Sequence, residues 1–369
     1  MSRPHILPPS ALCLVFALLA MPGIGFAQVP PDYPAGYADT VAAARREGRL
    51  VVYATTDTAA VAPLNRAFEE RYPGVKVEYR EMESNELNRR FMGETATGRP
   101  SADVLWSSAM DLQFKLVNDR YAEAYASPES GSVPEWANWR NEAYGTTFEP
   151  VVFAYNERLL RGDDIPQTHA DFAQVLKKNP GRFRGKVTTY DVEKSAVGSL
   201  LAAQDSRASP AFWDLTRLLG AADVRLETST AAMMERIGSG AALLGYNMIG
   251  SYVMARAELD PSVAVVLPRD YTLVLSRVVF ISKSARDPNA ARLWLDFLLS
   301  RRGQGLLSEK SKVPSIRRDI SGPYTADALV RTLGASLRPV VVGPGLLVHL
   351  DRFKQQEFLK QWRGAMESR

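Results

Sequence analysis

The chain has 369 residues, 46% of them apolar, and single hydrophobic cores stop growing near roughly 250–300 residues, so two cores are expected. Its 45 Lys and Arg stand against 41 Asp and Glu with no block of like sign, which argues against nucleic acid or an anionic membrane surface as partner. One cysteine and three histidines leave no disulfide, no paired thiolates and no metal set at ligand spacing.

The N-terminus carries one positive charge, Arg3, then an apolar run of eleven residues from Ala11 to Met21. Pro22 and Gly23 break the run, and Gly25-Phe26-Ala27 places small residues before Gln28. A membrane span needs about twenty apolar residues, so this layout reads as a secretory signal peptide over residues 1–27, cleaved after Ala27. Its removal takes Arg3, His5 and the only cysteine, Cys13, and leaves a soluble periplasmic chain of net charge +3 with His169 and His349 alone.

After a Pro-rich leader (28–38), a short helix is expected at Thr40–Glu47 and a strand at Leu50–Ala54. The polar turn Thr55–Thr58 then opens a helix whose inward face is Val61, Leu64 and Phe68, with Pro63 in its first turn. Val75–Tyr79 alternates as a strand, Leu87 and Phe91 mark a helix, and Ala102–Trp106 is a buried strand ending in Ser107-Ser108. This is β-α-β-α-β at parallel-sheet spacing, so a doubly wound α/β unit follows, with ligands expected beyond the carboxyl ends of its strands.

The pattern resumes after the turn-rich stretch 127–139. A long strand is expected at Thr146–Tyr155 and a helix at Thr168–Lys178, with His169 a surface residue of its first turn. Strands at Lys186–Tyr190, Ala222–Glu227, Ala241–Tyr246 and Val263–Leu267 alternate with helices opening at Ser195, at Thr228–Thr230 and after Asn247. A strand from Thr272 to Ile281 and a helix from Pro288 to Ser300 complete the reading. There is no Gly-x-Ser-x-Gly, no phosphate loop and no His-Glu-x-x-His, and Asp163-Asp164 and Glu69-Glu70 fall on solvated faces, so neither an enzyme nor a cofactor is expected.

Several segments carry a resemblance. They are Leu50–Ala54 with the helix ending Phe68-Glu69-Glu70-Arg71-Tyr72-Pro73-Gly74, then Arg99-Pro100-Ser101-Ala102-Asp103-Val104-Leu105-Trp106-Ser107, Val152-Phe153-Ala154-Tyr155-Asn156, and Asp287–Ser300 with Gly303-Gln304. In this order and spacing the chain resembles the periplasmic substrate-binding proteins of ATP-binding-cassette (ABC) importers, in the class that includes ferric-ion-binding proteins. The resemblance implies a type II periplasmic binding fold, two α/β lobes joined by a two-strand hinge that closes on ligand. Crossings would fall near Tyr144–Glu149 and Pro268–Tyr271. Lobe 1 would take 28–145 plus 271–320, lobe 2 would take 146–270, and 321–369 would be a C-terminal helical segment packing on the lobes.

Ferric-binding members carry two adjacent tyrosines; here Tyr246 and Tyr252 stand six positions apart. A free phenol has a pKa near about 10, so Fe³⁺ needs clustered phenols to displace their protons, and no metal site is expected. Hydroxyls at helix starts (Thr55, Thr56, Ser107, Ser108, Ser195, Thr228, Ser229) point instead to an anion held by amides and helix dipoles, although each could serve only as a cap. Arg269 and Arg277 are the candidate counter-charges, Arg277 otherwise pairing with a structural carboxylate, and Tyr246, Asn247 and Tyr252 the candidate stacking and hydrogen-bonding groups. The expected function is capture of a small organic or phosphorylated anion and delivery to an inner-membrane ABC permease by a monomer. A sensory binding protein serving a membrane histidine kinase, and a ferric-ion-binding protein, are the alternatives.

Overall fold

The computed structural model describes residues 29–30 and 32–367; the signal peptide expected at 1–27 lies outside them. The first lobe runs α1 (Tyr37–Glu47), β1 (Arg49–Ala54), α2 (Thr58–Arg71), β2 (Lys76–Glu81), α3 (Ser84–Ala96), β3 (Val104–Ser107), α4 (Met110–Asn118), β4 (Asn138–Trp139) and β5 (Ala143–Gly145). β1 is apolar throughout its buried length because it is covered on both faces. Leu50, Val52 and Ala54 pack into one core and Val51 and Tyr53 into another. β2 and β3 pair parallel on either side of β1, which sets three carboxyl ends side by side. Pro63 is the sixth residue of α2 rather than part of its first turn, and the carbonyl that loses a donor belongs to exposed Ala59, where water can replace it.

The second lobe holds β6 (Glu149–Asn156), α5 (His169–Lys178), α6 (Pro180–Phe183), β7 (Val187–Tyr190), α7 (Ala196–Ala208), α8 (Phe212–Ala221), β8 (Arg225–Glu227), α9 (Thr230–Gly238), β9 (Leu244–Ile249), α10 (Gly250–Leu259), β10 (Val263–Val266) and β11 (Thr272–Leu275). β7 pairs parallel with β8 and β9, and β6 runs antiparallel to β9, β10 and β11. The chain re-enters the first sheet as β12 (Val278–Ile281), between β3 and β5, and continues into α11 (Pro288–Leu299) and α12 (Arg301–Glu309). The closing segment is not purely helical. Between α13 (Ala326–Leu333) and α14 (Arg352–Glu367) it inserts β13 (Leu337–Pro339), parallel to β11, and α14 lies along α8.

The hinge takes the first three residues of the expected strand Thr146–Tyr155, within the crossing expected at Tyr144–Glu149, and divides a second expected strand. Gly145 ends β5 in one sheet and Glu149 begins β6 in the other, so Thr146–Phe148 is the first crossing. The run Thr272–Ile281 is likewise divided, and the second crossing is Ser276–Arg277, beyond the Pro268–Tyr271 expected from sequence. The crossings bind each other: Thr146 N–H and Oγ1 donate to the Arg277 carbonyl at 3.0 and 2.8 Å, Arg277 N–H to Thr147 Oγ1 at 2.9 Å, and Thr147 N–H to Ser276 Oγ at 3.1 Å. The approach is so close that a Cβ on Gly145 would meet Ser276 Oγ at 2.6 Å.

A similar contact docks the C-terminal helix. A Cβ at Gly220 of α8 would stand 2.2 Å from the carbonyl oxygen of Met366 in α14. Helix propensity favours Ala over Gly by about 1 kcal/mol, whereas overpacking costs about 1–3 kcal/mol. Gly220→Ala is therefore expected to lower the melting temperature and to open α14 to trypsin at Lys354 and Lys360. A stabilised, protease-resistant variant would show that the contact yields.

Candidate ligand-binding cleft

The parallel strands of both sheets end on a cavity of about 240 Å³ between the lobes. From the first lobe it is lined by Thr55 and Asp57 after β1, by Glu81 and Glu83 at the end of β2, and by Ser108 after β3. From the second it is lined by Tyr190 at the end of β7, Val197 in the first turn of α7, Thr228–Ala231 at the start of α9, and Tyr252 of α10. This is where an open α/β sheet binds ligands, because side chains and helix N-termini converge there.

The hydroxyls divide into those that face the cavity and those spent behind it. Thr55, Ser108, Thr228 and Ser229 line it. Thr55 Oγ1 accepts from Ser108 N–H at 3.1 Å, and Ser229 Oγ caps α9 by accepting from Ala232 N–H at 3.3 Å. Ser107 and Ser195 are buried: Ser195 Oγ caps α7 by accepting from Gly198 N–H, and Ser107 Oγ accepts from Ala109 N–H in the turn before α4, each at 3.2 Å. Ahead of the Ser229 cap, the Thr230 and Ala231 amides of α9 have no hydrogen-bond acceptor among the described residues, as the first turn of a helix leaves them.

Arg277 is fully buried and is not free for a ligand. Its Nε and Nη2 donate to the two oxygens of Glu149 at 2.8 and 3.0 Å, and Nη1 donates to Thr56 Oγ1 at 2.8 Å and Tyr252 Oη at 3.3 Å. Burial works against its charge, but Glu149 and Tyr252 together more than offset that and keep the guanidinium protonated. Glu149 is completed by Thr147 Oγ1 at 2.8 Å and by Ser251 Oγ. Thr56 is thereby buried in the hinge rather than exposed to the cavity. Tyr252 belongs to both: it lines the cavity, donates to Asp57 Oδ1 at 3.2 Å and has its phenol pushed up to about 12, chiefly by burial.

Three expected site residues stand elsewhere. Tyr246 and Asn247 lie before the carboxyl end of β9, where their side chains bind the buried Asp205 together with Tyr271 Oη. Burial, then the charge of Asp205, raise the Tyr246 phenol far above its ordinary value. Arg269 precedes β11 and so sits at the end of that strand remote from the hinge. There its N–H meets the Gln167 carbonyl and its carbonyl accepts from Ser336 Oγ at 2.6 Å. His169 is only partly exposed: its ring stacks on Tyr271 at 3.9 Å and Nδ1 lies 3.0 Å from Asp270.

What the sequence reading missed is the acidic wall. Glu81 accepts from Thr58 N–H at 2.7 Å and from Thr58 Oγ1 at 2.8 Å, so the positive end of α2 already has its carboxylate. Loss of hydration, then the nearby Asp57 and Glu81, push the carboxyl of Glu83 above its ordinary range. No Lys, Arg or His lines the cavity among the described residues, and no group of three or more His, Cys, Asp and Glu stands there as a metal set. The available signal was position: Glu81 and Glu83 close the second parallel strand, at the same edge as Thr55 and Ser108.

Residues 64–332 match the family described as bacterial extracellular solute-binding protein. The substrate binding protein of an ABC transporter from Agrobacterium tumefaciens is 37% identical, with a TM-score of 0.81 over 86% of this chain and 94% of its own. The periplasmic binding protein AfuA from Actinobacillus pleuropneumoniae, solved with exogenous fructose-6-phosphate bound, is 20% identical, with a TM-score of 0.70 over 86% of this chain and 98% of its own. Iron-bound HitA from Pseudomonas aeruginosa is 18% identical, with a TM-score of 0.66 over 86% and 99%. The last two share the fold. Among individually curated proteins none matches the chain.

Arg277→Met leaves Glu149 as a buried charge without its counter-ion, a change that costs about 3–5 kcal/mol when one partner of such a pair is removed. Urea unfolding is expected to show a loss of that size. A change within about 1 kcal/mol, the range of exposed pairs, would mean that the pair does not hold the hinge.

Proposed function

The chain belongs to the bacterial extracellular solute-binding proteins of ABC transporters, and from that premise we propose that its ligand is a small zwitterion, an oxyanion at one end and an amine at the other. In this reading the mature protein, cleaved after Ala27, captures the solute in the periplasm and presents it to an inner-membrane permease. The observation that carries the ligand class is the opposite polarity of the two walls. The second lobe offers the open amides of Thr230 and Ala231 with the hydroxyls of Thr228 and Ser229, while the first offers Asp57, Glu81 and Glu83.

Magnitudes favour a ligand of mixed charge over a bare anion. A helix N-terminus is worth about half an elementary charge, and α2 already spends its own on Glu81. The dipoles of α7 and α9 therefore face up to three full negative charges, with Arg277 neutralised by Glu149. A dianion alone meets net repulsion, whereas an amine beside Glu83 relieves the like-charge crowding. The anion expected from sequence keeps its place at one end of the solute. Ferric ion is not the ligand proposed, because Tyr246 is bound to Asp205 in the lobe core and cannot join Tyr252.

Calorimetry with O-phosphoethanolamine, ethyl phosphate and ethanolamine tests the reading. The first should bind about tenfold or more tightly than either of the others, the gain of one charge-assisted hydrogen bond. Its advantage over ethyl phosphate should vanish in Glu83→Gln. Equal binding of ethyl phosphate would remove the amine from the proposal, equal binding of ethanolamine would remove the oxyanion, and no binding of any probe would overturn both.

A further inference from the structure

We propose that Tyr252 is the positioning residue that carries closure of the cleft to the hinge. It is the residue of the cavity wall that also joins the buried Arg277–Glu149 group. Its hydroxyl uses both of its hydrogen-bonding roles across the lobes. It donates to Asp57 Oδ1 of the first lobe at 3.2 Å and accepts from Arg277 Nη1 at the second crossing at 3.3 Å. The guanidinium carbon lies 5.1 Å from the centre of the Tyr252 ring, so the ring is also held from one side.

From Arg277 the connection is short and continuous. Its Nη1 reaches Thr56 in the loop between β1 and α2, its other nitrogens hold Glu149 on β6, and its backbone is bonded to Thr146 and Thr147. Ser251, next to Tyr252 on α10, closes the group on Glu149. Moving the lobes apart separates Asp57 from Tyr252 and draws Thr56, on the first-lobe loop after β1, away from Arg277 Nη1. The hinge and the cavity thus share one hydroxyl, and the lobes cannot open without changing the hydrogen bonds of a buried charge.

Tyr190 provides the contrast. It lines the same cavity, but its hydroxyl pairs with Thr230 Oγ1, wholly within the second lobe. It touches neither crossing through that bond.

The inference rests on the cleft reading only for what Tyr252 senses, and hydrogen exchange on the ligand-free protein tests the coupling by itself. In Tyr252→Phe, which keeps the ring but loses the bonds to Asp57 and Arg277, amides of 146–149 and 276–278 should exchange about threefold or more faster, while β1 and β3 are unchanged. Asp57→Ala should accelerate the same amides to a lesser degree, and adding it to Tyr252→Phe should change little, because the bond to Asp57 is already lost there. Unchanged exchange at the crossings, acceleration spread evenly over the protein, the same acceleration in Tyr190→Phe, or full additivity would each overturn the proposal. Failure of the zwitterion in calorimetry leaves this result untouched, and the reverse also holds.

Discussion

A guanidinium with no exposed surface has to be met by charge, and Arg277 is met by Glu149 from the opposite side of the hinge. Desolvating both ions is costly, and the bidentate geometry offsets that cost only while the two crossings stay in register. The pair therefore constrains more than itself. Thr147 and Ser251 fill the remaining positions on Glu149, and Thr56 and Tyr252 take the two N–H groups of Arg277 Nη1. Residues from both lobes are recruited to satisfy one buried charge, which gives the hinge a defined arrangement in place of two loose connections.

That constraint also decides the chemistry of the cleft. Arg277, the one cation at its base among the described residues, is already neutralised, so it lends no charge to a bound solute. What remains is uneven: amides and hydroxyls on the side of α9, carboxylates on the side of β2. Closure brings the two sides together across a small cavity and strips water from the crowded carboxylates Asp57, Glu81 and Glu83, a cost that something positive placed beside them offsets. A solute with one positive and one negative end offsets both costs, which is a physical route from binding to closure.

The two-lobed α/β architecture was legible in the sequence because apolar runs covered on both faces, as in β1, and helices with a single inward stripe, as in α2, leave clear periodicities. The hinge was less so. Ser276 and Arg277 interrupt an apolar run whose flanks both continue as strands, and only pairing between sheets reveals the break. For the site, position relative to a strand end outweighed residue type. Thr55, Ser108, Thr228, Ser229 and Tyr252 follow carboxyl ends and line the cavity, whereas Tyr246 and Asn247 lie inside β9 and serve the core. Ser195 shows why a hydroxyl at a helix start is ambiguous, since the same atom that would meet a ligand can cap the helix. The acidic wall was passed over because carboxylates at the end of a strand read as solvated surface until the opposite lobe is placed over them.

The central claim is that the space between the lobes holds a solute with an amine at one end and an oxyanion at the other. Native mass spectrometry of the protein taken from the periplasm of its own host tests it most directly, since a retained ligand is weighed and fragmented without prior choice of candidates. The expected retained species is a small molecule containing both a basic nitrogen and a phosphate or carboxylate, with occupancy reduced in Glu83→Gln. A retained ferric ion, or a solute with no basic nitrogen held equally well by the variant, would contradict it.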